Sequence, residues 1–150
     1  MKKSLHFETL IDAPKKTVWD TMLKSPTYEA WTSEFCEGSH FEGSWDEGEE
    51  IRFLDPNGNG MISVIEKNIP YEFVSIKHIG VIQNGVDDFD SEQARQWVPG
   101  YEDYSFSGAD GITTLQVDME VTPDFEQMML DTWPRALEKL KTLCGAGARA

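Results

Sequence analysis

Apolar and polar positions alternate with a period of two along the first twelve residues. Leu5, Phe7, Thr9 and Ile11 share one face and His6 and Glu8 the other, with Leu10 as the exception. Such alternation marks a half-buried strand. The period changes in "DAPKKTVWDTMLKSP". There Val18, Trp19 and Met22 fall on one helical face, Pro14 suits a first turn, and the helix stops before Pro26. "TYEAWTSEF" adds a second short helical piece.

The period of two then returns. Gly38, Gly43 and Gly48 punctuate the chain. "HFEGSW" and "EEIRFL" read as strands joined at Asp46-Glu47-Gly48, with "PNGNG" a tight turn after them. "MISVIEK" and "FVSIKHIGV" are the next strands, joined through "NIPYE". Residues 82–99 form a long polar connection with a turn of helix in "SEQARQW". "YEDYSFSG" and "ITTLQVDMEV" make a last hairpin around Ala109-Asp110-Gly111, and Leu115, Val117, Met119 and Val121 face inward.

From about Pro123, with Thr122 as N-cap, the spacing is helical. Phe125, Met129, Trp133, Leu137, Leu140 and Cys144 form one apolar stripe. Pro134 inside it predicts a kink or a break, because it removes a backbone bond and crowds the preceding turn. "GAGARA", from about residue 145, reads as a flexible tail. An apolar sheet face and an apolar helix stripe must cover each other. The order predicts an α+β fold: a sheet of six to seven antiparallel strands around a long C-terminal helix, with two short helices after the first strand.

Composition sharpens this picture. The 150 residues fit a single domain, 1–150, able to bury roughly 70% of its unfolded surface without a staple. Apolar content of 39%, with 11% aromatics, is that of a globular chain. A formal charge of −14 argues against binding nucleic acid or an anionic membrane surface, and favours solubility. Cys36 and Cys144 lie far apart and suit reduced thiols in the cytoplasm. The start of the chain does not read as a signal peptide, and no stretch is long and apolar enough to span a membrane.

One stretch invites a chemical reading. "EFCEGSHFEGSWDEGEEIRF" holds Cys36, His40 and seven acidic residues. On a strand Cys36 and His40 stand about 13 Å apart, at roughly 3.3 Å per residue. A zinc ion holds its ligands at about 2.0–2.3 Å and cannot bridge that gap. No Lys or Arg occurs between Lys24 and Arg52, so these carboxylates read as a solvated rim. No phosphate-binding loop, dinucleotide fingerprint, GxSxG or HExxH motif occurs. Neither metal nor cofactor is expected, and no residue is assigned a catalytic role.

"IDAPKKTVWDTML" with Trp31 resembles the opening of the SRPBCC or START-like superfamily. "TWPRALEKLKTL" resembles the Trp-Pro-x-Ala-Leu-x-x-Leu end of its branch related to the activator of heat-shock protein 90 ATPase. "FVSIKHIGVIQNGVDD" and "WVPGYEDYSF" are similar to a bacterial subgroup of that branch. The resemblance covers nearly the whole chain. It implies a helix-grip fold, in which a curved sheet wraps the C-terminal helix around a cavity. In many members that cavity holds an apolar small molecule. Members include lipid carriers, hormone receptors, cyclases, ring-hydroxylase subunits and cochaperone domains. Three functions follow as expectations: binding of a small apolar or amphipathic molecule, a cochaperone-like protein-interaction module, or an enzyme such as a cyclase or hydrolase. Either a monomer or a homodimer is compatible.

The residues supply candidates for that cavity. Trp31, Phe53, Met61, Ile65, Val74 and Ile76 come from the first half of the chain; Tyr104, Phe106, Met129 and Trp133 come from the second. Aromatics and Met at this density suit an adaptable pocket, and equally an ordinary packed core. The connection from Gln83 to Pro99 carries Trp97, expected either turned inward over the cavity mouth or anchoring the loop on the surface. His78 and Glu102 share the inward face with Tyr104. If Ile76 opposes Tyr104, then His78 opposes Glu102 at about 4.5–5.5 Å between Cβ atoms. These three would form the polar end of the pocket and orient a ligand or hold a proton. A satisfied pair that only fixes strand register is the alternative.

Overall fold

The computed structural model describes residues 2–148. β1 (Lys3–Ile11) leads into α1 (Lys15–Leu23) and α2 (Ser25–Thr32), followed by β2 (His40–Gly43), β3 (Glu50–Leu54), β4 (Gly60–Ile69) and β5 (Phe73–Gln83). The short β6 (Val86–Asp88) and α3 (Glu92–Trp97) precede β7 (Gly100–Ala109), β8 (Ile112–Val121) and α4 (Pro123–Ala148). All described strand pairs are antiparallel, in the order β1-β8-β7-β5-β4-β3-β2, with β6 on β5. β1 and β2 form the two ends of this path, and α1 and α2 span from one to the other. The whole is the α+β helix-grip arrangement.

Local chemistry explains the elements. Pro14 caps α1 in an extended conformation, and Lys24, also extended, separates α1 from α2 just before Pro26. Val18, Trp19, Met22 and Leu23 turn inward from α1; Tyr28 and Trp31 do so from α2. The Trp31 Nε1–H donates to the Met22 carbonyl at 3.0 Å, locking the two helices together. On β8, Leu115, Val117, Met119 and Val121 are all buried, as the alternation requires.

Two irregularities in the β4–β5 pairing, at Ile62/Ser63 and Ile65/Lys67, bend the sheet. The first skips Ile79, so that Ser63 pairs with His78 while Met61 pairs with Val81. His78 and Val81 thus both face the groove despite an odd spacing. Residues 82–99 are more ordered than a long polar connection. β5 runs on to Gln83, and Asn84 (φ 52°) and Gly85 (φ 78°) turn the chain into β6.

Pro134 does not divide α4, which is one helix to Ala148. The tail expected from residue 145 is therefore helical that far, and the remainder lies outside the described residues. Trp133, Ala136, Leu137, Leu140 and Cys144 dock α4 on the core. Phe125 does not join this seam and is 45% exposed, because the first turns of α4 extend past the packed centre. Around Trp133 stand Phe7 at 6.0 Å, Trp31 at 5.6 Å, Phe35 at 5.1 Å and Tyr104 at 6.2 Å between ring centroids. Trp133→Ala should cost about 3–5 kcal/mol in urea unfolding, the range for deleting a buried indole; a loss near zero would show that α4 docks without it.

Candidate ligand-binding site

A cavity of about 480 Å³ opens at one end of the groove, beneath the overhanging first turns of α4. Its apolar wall comes from Met61 of β4, Val81 and Ile82 of β5, Trp97 of α3 and Val121 of β8. Phe125, Met128 and Met129 of α4 close it from above. Polar side chains ring it: Asn59, Gln83, Asn84, Gln93, Gln96 and Thr122. Asp124 is the one ionisable side chain among the described lining residues.

Trp97 forms the inner wall. Its ring stacks on His78 at 4.6 Å and 22°, and its Nε1–H donates to the Glu120 carbonyl at 3.2 Å. Gly100 makes this possible, because a Cβ there would come within 2.9 Å of the indole. Phe89 lies on Gly80 in the same way, where a Cβ would meet the ring at 2.8 Å. Arg52 adds a bidentate grip on Asp87, at 2.8 and 2.9 Å, which holds the Asp87 carboxyl below its usual range. The Ser91 hydroxyl accepts from the Ala94 N–H and caps α3. The segment is a fastened wall, with Trp97 turned inward.

Behind Trp97 runs a buried polar chain. Ser63 Oγ lies 2.7 Å from His78 Nδ1, His78 Nε2 lies 3.2 Å from Glu102 Oε1, and the Tyr104 hydroxyl donates to Glu102 Oε2. Burial first, and then the nearby Glu102 charge, push the Tyr104 and Tyr28 phenols well above their usual value. Tyr104 is therefore fixed as a donor. A hydroxyl, an imidazole and a carboxylate in series have the composition of a nucleophile with its base. Ser63, however, is fully buried between its strand partners Ile51 and His78, and Trp97 covers the imidazole. The chain satisfies its own polar groups and sets the plane on which Trp97 rests.

The structure thus sorts the expected lining residues. Met61, Trp97 and Met129 line the cavity. Trp31, Phe53, Ile65, Val74, Ile76, Phe106 and Trp133 lie in the packed core instead, because the groove is filled where α4 docks. His78, Glu102 and Tyr104 come together, but one layer behind the cavity. Their register also differs from expectation: Ile76 opposes Glu102 and Val74 opposes Tyr104, while His78 opposes Gly100. The shift is two residues, which keeps every side chain on its face, and Glu102 reaches His78 on the diagonal. Ser63 and the five carboxamides are additions. Among the described residues no cluster of three or more His, Cys, Asp or Glu is placed to hold a metal, and no helix is long and apolar enough to cross a membrane.

The fold recurs in solved structures of low identity. DynU16, from the dynemicin biosynthetic locus, aligns at 14% identity and a TM-score of 0.70 over 97% of this chain. The match covers 48% of DynU16, so the chain spans about half its length. Protein MLL2253 from Mesorhizobium loti aligns at 15% identity and a TM-score of 0.72, over 96% of this chain and 98% of its own. The Aha1 dimer from Colwellia psychrerythraea aligns at 16% identity and a TM-score of 0.69, over 93% of each chain. No protein-family model and no curated protein matches the sequence. At these identities the likeness is one of fold.

The buried phenols set a pH dependence. A group whose folded value is raised contributes fully below its unfolded value, and that contribution is lost as pH rises toward the folded value. Unfolding free energy should fall above about pH 10, by about 1.4 kcal/mol per pH unit for each phenol that ionises only when unfolded. Tyr104→Phe should flatten that fall in urea melts compared at about pH 9 and pH 11. An unchanged slope would mean that Tyr104 ionises as easily in the fold as out of it.

Proposed function

We propose that the protein binds a small apolar or amphipathic molecule in the cavity between β4, β5, α3 and the first turns of α4. The observation that carries this reading is the cavity itself, about 480 Å³ in a fold whose centre is otherwise closely packed. Small-molecule sites have volumes of about 300–1,000 Å³, with mostly apolar walls and a few polar groups. Met61, Met128 and Met129 supply a soft wall that adapts to ligand shape. The Ser63–His78–Glu102–Tyr104 chain contributes indirectly, by holding Trp97 as a rigid face. The free thiols of Cys36 and Cys144 suit a cytoplasmic protein.

A second reading has its own observation. Phe125, Met128 and Leu130 on the first turns of α4 are 45%, 41% and 41% exposed. Phe125 and Met128 lie one turn apart on the same side of α4, with Leu130 on another, and such a small apolar patch fits a protein partner, as in a cochaperone-like module of the heat-shock protein 90 activator type. Stimulation of that chaperone's ATPase, lost in Phe125→Ser, would select this reading.

The ligand reading is tested by native mass spectrometry of freshly purified protein, followed by extraction of bound material. The protein should retain a small molecule or take up the neutral dye N-phenyl-1-naphthylamine. Val81→Phe, which fills the cavity, should abolish both with the fold intact. Neither retention nor uptake by the natural chain would reject the reading. Asp87→Asn, which removes a solvent-screened ion pair, should speed dye release several-fold while barely changing stability; an unchanged release rate would mean that the Arg52 grip does not govern access.

A further inference from the structure

We infer that the ligand is uncharged: an apolar body carrying hydroxyl, carbonyl or amide groups, and not a fatty-acid-like anion. This rests on the pocket reading above and goes beyond it, because it concerns what the polar ring selects.

The ring is built from carboxamides. Asn59, Gln83, Asn84, Gln93 and Gln96 all line the cavity, and among the described residues no Lys, Arg or His does. The amides are partly wired to one another. Gln83 Nε2–H donates to Gln93 Oε1 at 3.0 Å, and the Asn84 backbone N–H donates to Asn59 Oδ1 at 3.2 Å. An amide–amide pair uses one N–H and one lone pair, and leaves further donors and acceptors free on both members. The mouth therefore offers both polarities at once. Hydroxyl, carbonyl and amide groups can use that offer without bringing a charge.

An anion has no such reception. A desolvated carboxylate is costly unless it is paired. Two neighbouring basic groups are already engaged, Arg52 with Glu50 and Asp87 and Lys2 with Glu120, and Arg95 of α3 is exposed and does not line the cavity. The N-terminus of α4 is the local source of positive potential, and its first turn already carries Asp124 and Glu126. Asp124 itself faces the cavity, and the chain as a whole carries −14. Each of these repels an incoming anion. A cation finds one counter-charge in the lining, Asp124, which is exposed and solvated, so pairing with it gains little.

The test uses chemically matched probes on the full chain. N-phenyl-1-naphthylamine and its 8-sulfonate, 8-anilino-1-naphthalenesulfonate, share one body and differ in one charge. The neutral dye should bind at least about tenfold more tightly, a difference of about 1.4 kcal/mol. In displacement of that dye, 1-decanol should act at correspondingly lower concentration than decanoate or decylammonium. Gln96→Lys, at an exposed position of α3, should narrow the gap between 1-decanol and decanoate several-fold. Equal or tighter binding of either charged compound overturns the inference and leaves the pocket reading standing. A gap unmoved by Gln96→Lys also overturns it, because selection would then lie outside the ring. Failure of every neutral and charged probe to bind removes the pocket reading itself.

Discussion

Five aromatic rings meet where α4 crosses the sheet, and most of the molecule is arranged by that meeting. Trp133 lies against Phe7 of β1, Trp31 of α2, Phe35 and Tyr104 of β7. Its Nε1–H is buried without a hydrogen-bond partner among the described residues, so shape and dispersion alone seat the ring. Close packing there fixes the axis of α4 from Trp133 onward. The turns before it then project over the end of the sheet, and Met61 of β4 and Val81 and Ile82 of β5 face them across the cavity. The cavity is the space left by a helix docked from Trp133 to Cys144 but not over its first turns.

Tyr104 belongs to that cluster and also begins the buried polar chain. Through Glu102 and His78 the packed centre is tied to Trp97 and hence to the cavity wall. Glycines at positions 80 and 100 let two aromatic rings lie flat against the sheet. A short helix and a three-residue strand would be poor anchors alone; two flat rings and a bidentate ion pair give them a defined place.

The fold is largely legible in the sequence, because one-sided burial imprints its period. The alternation of β1 and β8 and the stripe from Met129 to Cys144 report directly which face is covered. The hairpin at Asn84-Gly85 is less visible. Its dipeptide has the positive φ angles of a tight turn, but Val86-Asp87-Asp88 lacks the alternation that normally flags a returning strand. The inward faces of β5 and β7 are readable, whereas their register is not, because a slip of two residues leaves the burial pattern unchanged. Ser63 escapes because only the irregularity beside Ile79 brings it to His78. The cavity is harder still. Ile65 and Met61 of β4 obey the same alternation, yet Ile65 lies in the packed core and Met61 at the cavity, a difference in position along the groove that no local pattern encodes. The amides of Gln83, Asn84, Gln93 and Gln96 read as ordinary solvated loop until the turn of β6 folds them around one opening.

The strand order also governs how the chain is made. β2 through β7 follow one another through short or moderate connections and can pair as they emerge. β1 must wait for β8, with Lys3 joining Val121. The apolar face of the sheet stays uncovered until α4 arrives, 26 residues later. At about 5–20 residues per second, the nascent sheet is exposed for on the order of a few seconds. Long-range pairing of this kind slows folding and prolongs the interval in which bare strands meet other chains. A dense negative charge is a suitable companion for that interval, since half-built copies repel one another before the last ring closes the cluster.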